Sequence, residues 1–292
     1  MSDKIYRYMA ADGNVRVILA ETTAAVEEAR RLHGASPVAA AAMGRTLTAA
    51  LMLATELKAN GSITATVSGG GPIGRVCAVA RPDGAVKVYC GDPLVDLPVR
   101  ADGKLDVSGA VGRQGRLTVV RDLGMREPFT GQVNLVSGEI GEDFAMYLAA
   151  SEQQPSLVAL GVLATREGVV SAGGIIVQPL PGCPEETLSR LEQLAPSLGD
   201  ISRRLKEEGA DGLMRKAFAD MAPILSGEVE AKLRCDCSRE RVERALISLG
   251  PGELEAMMTE DGGAEVCCHF CNGKYMFDCR ELGELKQSAA GK

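Results

Sequence analysis

The sequence predicts an α+β protein: an N-terminal antiparallel-sheet domain with long helices, a helical linker, and a small C-terminal domain built on cysteines. Three observations lead there. Apolar residues alternate with period two through many short runs parted by Gly or Pro-Asp-Gly turns, without a strand–helix–strand rhythm. Leucines then recur at spacings of three and four through the charged stretch 188–205. Near the end, Cys235-Asp-Cys237 and Cys268-His-Phe-Cys271 stand thirty residues apart, the arithmetic of a metal site.

Residues 5–10 and the alternating Val15, Val17 and Leu19 make a hairpin about the Asp12-Gly13 turn. Thr22 or Thr23 is expected to cap a helix carrying Val26, Ala29 and Leu32, which Gly34 ends. His33 sits in its last turn, where a cation suits the helix dipole and no ligand set adjoins it. Residues 38–58 form a long helix of small residues, apolar nearly all round and therefore central. From 62 to 106 the period is two again, through Ile63, Ala65, Val67, then Val76, Ala78, Ala80, then Val86, Val88, Cys90: an antiparallel meander. Gly69, Gly71 and Gly74 spell G-x-G-x-x-G, but Pro72 intervenes and a strand pattern follows. A tight turn is expected there, not a dinucleotide site. Cys77 and Cys90 fall on strand positions as buried thiols.

Leu117 with Val119, and Val133 with Leu135, mark two more strands. Residues 138–151 read as a helix with Phe144, Tyr147 and Leu148 on one side. The runs 157–164 and 169–178 are strands, the second holding a bulge or close approach at Gly173-Gly174. This domain is expected to occupy residues 1–182. At Pro181-Gly-Cys-Pro184 the character changes to short amphipathic helices, with Leu188, Leu191, Leu194, Leu198, Ile201 and Leu205, a break at Gly209 and Asp211, then Leu213, Phe218 and Met221. Residues 183–231 are thus an amphipathic linker whose apolar stripe is expected to be buried within the molecule. Residues 232–292 make the last domain. Ser238 caps a helix with Val242, Leu246 and Leu249; a short helix follows Glu253-Leu254 and ends at Gly262-Gly263. A hairpin knuckle over 266–277 then turns at Asn272-Gly273.

Composition narrows the classes of function. Apolar residues are 46 % of 292, yet Trp is absent and aromatics are 3 %, so the core is aliphatic. A net charge of −7 and a pI near 5.1 argue against nucleic acid as the main partner. The first residues lack an apolar signal core, and the longest apolar stretch carries Arg45 and Glu56, so it reads as a buried helix and not a membrane span. A cytoplasmic protein is expected, in which nine cysteines favour metal binding or redox sensing over stapling. With two His and no nucleophile–base arrangement, the chain is not expected to be an enzyme.

Cys235, Cys237, Cys268 and Cys271 are the candidate metal ligands. Four thiolates suit one tetrahedral Zn²⁺, and two short chelating pairs close one sphere, which makes the last domain a small zinc-binding one. A Cys235–Cys237 bridge would close a very small, strained and easily reduced ring. Thiolates are also the form that peroxides attack, so the same cluster suits either a static staple or a redox trigger. Cys267 is expected on the other face of its strand, outside the sphere, with Cys279 a weaker competitor and His269 less suited than the thiolates.

The Cys235-Asp-Cys237 and Cys268-His-Phe-Cys271 pairs, with Tyr275 and Phe277, resemble the C-terminal signature of the heat shock protein 33 family. Ser151-Glu152-Gln153, Ala172-Gly173-Gly174, Gln178-Pro-Leu-Pro181 and the segment 237–246 extend the resemblance over nearly the whole chain. Cys267 and Cys279 depart from the pattern. The resemblance implies a redox-regulated holdase chaperone that uses no ATP and binds unfolding proteins under oxidative stress. It implies an inactive, reduced, zinc-bound form, switched on when Cys235–Cys237 and Cys268–Cys271 become disulfides and zinc leaves. The C-terminal domain then unfolds, the linker loosens, apolar surface meets unfolded clients, and the oxidised protein can form a homodimer. No membrane or nucleic-acid partner is implied. A structural zinc module on a regulatory or nucleic-acid-binding protein would need a basic face, yet residues 232–292 carry nine Lys/Arg against eleven Asp/Glu. A thiol–disulfide oxidoreductase using Cys268 and Cys271 lacks the βαβ context of that motif.

Overall fold

The computed structural model describes residues 2–290, and the architecture is mixed α+β. The chain divides into two compact units, Met1–Arg234 and Cys235–Lys292. Five strands of the first unit are β1 (Lys4–Ala10), β2 (Val15–Glu21), β8 (Leu157–Ala164), β9 (Val169–Pro179) and β10 (Ile224–Glu230). They form one antiparallel sheet in the order β10-β1-β2-β9-β8. A six-stranded sheet runs β11-β5-β4-β3-β6-β7, from β3 (Ser62–Ser68), β4 (Arg75–Ala80), β5 (Ala85–Cys90), β6 (Arg116–Asp122), β7 (Phe129–Asn134) and β11 (Lys232–Leu233). The hairpin and meander read from period two are both present.

Between the sheets lies α2 (Pro37–Ala54), whose alanines let both sheets approach closely. It is apolar enough in composition to cross a membrane, yet 83 % of it is buried inside the protein, as a core helix is. Ser36 caps it, accepting the Ala39 N–H at 3.2 Å, with Pro37 in the first turn. The helix stops four residues before the expected Lys58. Thr55 turns its hydroxyl back onto the Met52 carbonyl at 2.7 Å, which competes with the backbone ladder.

The cap of α1 (Thr23–His33) also differs from expectation. Neither threonine caps it; the Asp3 carboxylate accepts the Ala24 and Ala25 N–H groups at 3.0 and 2.7 Å. Thr22 is spent on the Thr48 hydroxyl at 2.7 Å, and Thr23 accepts the Ala172 N–H at 3.0 Å. Gly34 ends the helix in the left-handed region, as expected. His33 Nε2 lies 2.9 Å from the Val88 carbonyl, so the ring braces α1 on β5. Shorter helices α3 (Val107–Val111) and α4 (Gly141–Ala150) complete the inner layer.

The linker segment folds within the first unit. Helices α5 (Glu185–Leu194) and α6 (Ile201–Ala217) cover the outer face of the five-stranded sheet. Leu191, Leu198, Ile201, Leu205, Leu213 and Phe218 pack on Val15, Val17, Leu19, Ile175 and Val177. The inner strands β2 and β9 are therefore buried on both faces, and β9 reads as a nearly unbroken apolar run. The linker does not end as helix: β10 returns as an edge strand beside β1. Its exposed, polar-rich sequence (Ser226, Gly227, Glu228, Glu230) carries little period-two signal, which is why the sequence conceals it.

The second unit comprises α7 (Arg239–Leu249), α8 (Pro251–Thr259), the hairpin β12 (Ala264–Cys267) and β13 (Lys274–Phe277), and α9 (Cys279–Ala290). Ser238 caps α7 as expected, accepting the Arg241 N–H at 3.3 Å. The core here is small: Leu246, Leu254, Phe277 and Leu282 are its fully buried members among the described residues.

Gly173 on β9 marks how tightly the linker sits. A Cβ there would lie 2.3 Å from both Leu205 Cδ1 and the Ala20 carbonyl oxygen. Gly173→Ala is expected to destabilise the first unit by about 1–3 kcal/mol and to speed proteolysis within α6. Urea unfolding and mapped limited proteolysis check this; wild-type values for both would contradict it.

Candidate metal centre

Two local motifs deliver four sulfurs to one place. Cys235 and Cys237 lie on the loop that runs from β11 into α7, and the helix start holds that loop. Arg241, on the first turn, donates to the Asp236 carbonyl at 2.9 Å and pairs with its carboxylate at 2.5 Å. Cys268 and Cys271 lie on the turn between β12 and β13. There the Cys271 and Asn272 N–H groups fold back on the Cys268 carbonyl at 3.3 and 2.8 Å, and Cys268 N–H meets the Gly273 carbonyl at 2.9 Å. Asn272 takes the left-handed conformation (φ 54) that such a turn requires.

All four Sγ atoms lie within 4.8 Å of one another. Between the motifs, Cys235 Sγ lies 3.7 Å from Cys268 Sγ and Cys237 Sγ 3.3 Å from Cys271 Sγ, as one shared site demands. Tetrahedral bonds of about 2.3 Å would set sulfurs about 3.8 Å apart, so the donor set fits a single ion of the zinc kind. These are the four residues whose spacing marks them in the sequence, and they could hold one metal ion.

The other candidates stay outside. Cys267 is exposed, opposite Lys274 across the hairpin. Cys279 is exposed and donates to the Met258 carbonyl at 3.6 Å. His269 is exposed. Cys77 and Cys90 are buried strand thiols, and burial pushes Cys90 up to about 12.

Electrostatics within the cluster are uneven. The Tyr275 hydroxyl donates to Cys237 Sγ at 3.1 Å, which brings that thiol down to about 7. Burial pushes Cys235 up to about 12 and raises Cys271. Among the three thiols whose acidity is shifted, Cys237 is thus the one most ready to carry negative charge near neutrality. Spacing gives no sign of this hydrogen bond: Tyr275 reaches Cys237 from 38 residues away. Arg239 is equally silent in the sequence. Its guanidinium lies 4.3 Å from the Phe277 ring centroid and pairs with Glu281 at 2.6 Å, tying α7 to the hairpin and to α9.

The family model described as "Hsp33 protein" matches residues 3–278. The "33 kDa chaperonin" of Bacillus velezensis is 44 % identical over 285 residues, covering 97 % of this chain and 98 % of that protein. The protein of that name from Acetivibrio thermocellus is 45 % identical over 288 residues, covering 98 % and 97 %. The crystal structure of the 33 kDa chaperonin (heat shock protein 33 homolog) of Thermotoga maritima matches with a TM-score of 0.90 at 39 % identity, over 100 % of both chains.

In the reduced, zinc-loaded chain, Tyr275→Phe removes the hydroxyl that donates to Cys237 Sγ and should weaken zinc binding by about 10-fold, read by competition with a chromogenic chelator. An unchanged affinity would count against this role for the hydroxyl.

Proposed function

Starting from the fact that this chain belongs to the Hsp33 family, we propose that it is an ATP-independent holdase chaperone gated by a zinc–thiolate redox switch. The observation that carries this reading is the four-sulfur cluster in a unit with so small a core. A bound Zn²⁺ would hold four thiolates in one sphere and supply folding energy that four buried side chains do not. Cys235, Cys237, Cys268 and Cys271 are the ligands and also the redox-active residues. Reduced and metal-loaded, the protein rests.

Activation is oxidation of those sulfurs. Two thiols give up two electrons and two protons to one peroxide, forming one disulfide and two waters, and a second peroxide closes the second bridge. The pairs follow the family resemblance, Cys235–Cys237 and Cys268–Cys271. Sulfurs bound in disulfides are no longer thiolate donors, and the unit they held loses its staple.

The client surface is the linker over residues 183–231 together with the sheet face it covers. At rest that face is sealed: Val17, Leu19, Ile175 and Val177 lie beneath Leu205, Leu213 and Phe218. Loosening the linker would open a broad apolar surface to unfolded chains, and the oxidised protein is expected to dimerise through the same surface. Nothing in this cycle needs catalysis or ATP, so the protein acts by binding and is not an enzyme. A cytoplasmic location fits, since resting thiols require a reducing compartment.

The direct test is light scattering from a heat-unfolding client. Peroxide-treated protein should suppress aggregation and zinc-loaded reduced protein should not; equal suppression by both forms would reject the redox gate. In the reduced state, Cys235→Ser should weaken zinc binding by more than about 100-fold in competition with a chromogenic chelator. An unchanged affinity would remove Cys235 from the sphere. Peptide mapping of the oxidised form should recover the two next-neighbour bridges, and Cys235–Cys268 with Cys237–Cys271 would show the pairing to be wrong.

A further inference from the structure

Glu21 closes β2 on the face that the linker covers, and its carboxylate meets α6 where that helix breaks. Gly209 leaves helical geometry (φ 66, ψ 174), a conformation that favours glycine. Residues 210–217 therefore begin a new helical segment, whose leading N–H groups need acceptors from outside it. Glu21 Oε1 accepts the Ala210 N–H at 3.1 Å, and the Tyr6 hydroxyl donates to Oε2 at 3.4 Å. A strand side chain thus caps a helix 189 residues further along the chain.

The cap is half-buried and short of positive charge. Among the described residues no Lys or Arg forms an ion pair with Glu21. Lys4, directly opposite on β1, gives its ammonium to Glu228 at 2.8 Å. The surrounding titratable groups are Asp3 from the N-terminal segment, Tyr6 and Tyr8 from β1, Asp211 from α6 and Glu228 from β10. On β9 its register partner is Gly173, which brings no charge.

We propose that Glu21 is a proton-operated latch: docking of residues 210–217 on the sheet tightens when this carboxyl is protonated and loosens when it ionises. The protonated group keeps its carbonyl oxygen as acceptor for Ala210, so the cap survives while the cost of a half-buried anion with no cation beside it is removed. Burial raises Glu21 above the ordinary 4.5; the Asp3 and Asp211 charges add to this, and the Ala210 and Tyr6 hydrogen bonds oppose it. The docked form therefore holds the proton more firmly than the undocked form. Its contribution to docking is fully present below 4.5 and is lost as pH rises through the raised value. The linker so acquires an input independent of the sulfurs, and the latch does not rest on the chaperone reading.

The test is hydrogen exchange of residues 210–217 in the reduced full chain, from pH 4.5 to 7.5. Rates are corrected for intrinsic exchange and referred to residues 201–208. Protection in the wild type should fall at least about threefold over that range, and Glu21→Gln should flatten the dependence. Asp211→Asn, an exposed change on the helix, should shrink it. A fall of the same size in Glu21→Gln, or protection that rises with pH in the wild type, would overturn the latch. Where Glu21→Gln does not fold, Asp211→Asn decides: a reduced slope supports the latch and an unchanged slope overturns it.

Discussion

Four cysteine sulfurs gathered within 4.8 Å are the constraint on which, in the proposed reading, the fold of the second unit depends. The helices, hairpin and turns around them bury few large side chains, and small domains of this kind need a staple beyond the hydrophobic effect. Arg239 and Arg241 add braces, but these lie at partly exposed positions where ion pairs contribute little. A structure held this way is stable while the sulfurs are shared and weak once they are not. On the proposed reading, stability and sensitivity to oxidation would come from the same atoms.

The first unit presents the opposite economy. Its core is large and aliphatic, centred on α2. The inner strands of its five-stranded sheet, however, are apolar on both faces, and helices α5 and α6 of the linker segment cover the outer face. The fit is close at Gly173 and dependent on one carboxylate at Glu21, so the cover is specific as well as greasy. The cover breaks at Gly209, so it has a point at which it could loosen.

Much of this was legible in the sequence because the signals are local. Period-two alternation marked the hairpin and meander, leucine spacing marked α5 and α6, and cysteine spacing marked the cluster residue by residue. What stayed hidden depends on partners far along the chain. Asp3 caps α1 in place of Thr22, because the fold returns the N-terminus to that helix end. β10 pairs with β1 across more than 200 residues through a polar edge that carries no pattern of its own. Tyr275 reaches Cys237 only because the hairpin folds back beside the α7 entry loop. Spacing names which sulfurs gather, but tertiary contacts decide which of them is made more acidic and which helix end is satisfied.

The central claim is that the sulfur cluster folds the second unit, and amide hydrogen exchange on the reduced chain during metal chelation tests it most directly. The account predicts that chelation strips protection from residues 239–289 while α2 and the inner strands β2 and β9 keep theirs. Protection of α7 and the β12–β13 hairpin that survives chelation would contradict it, because the small core would then suffice without the shared sulfurs.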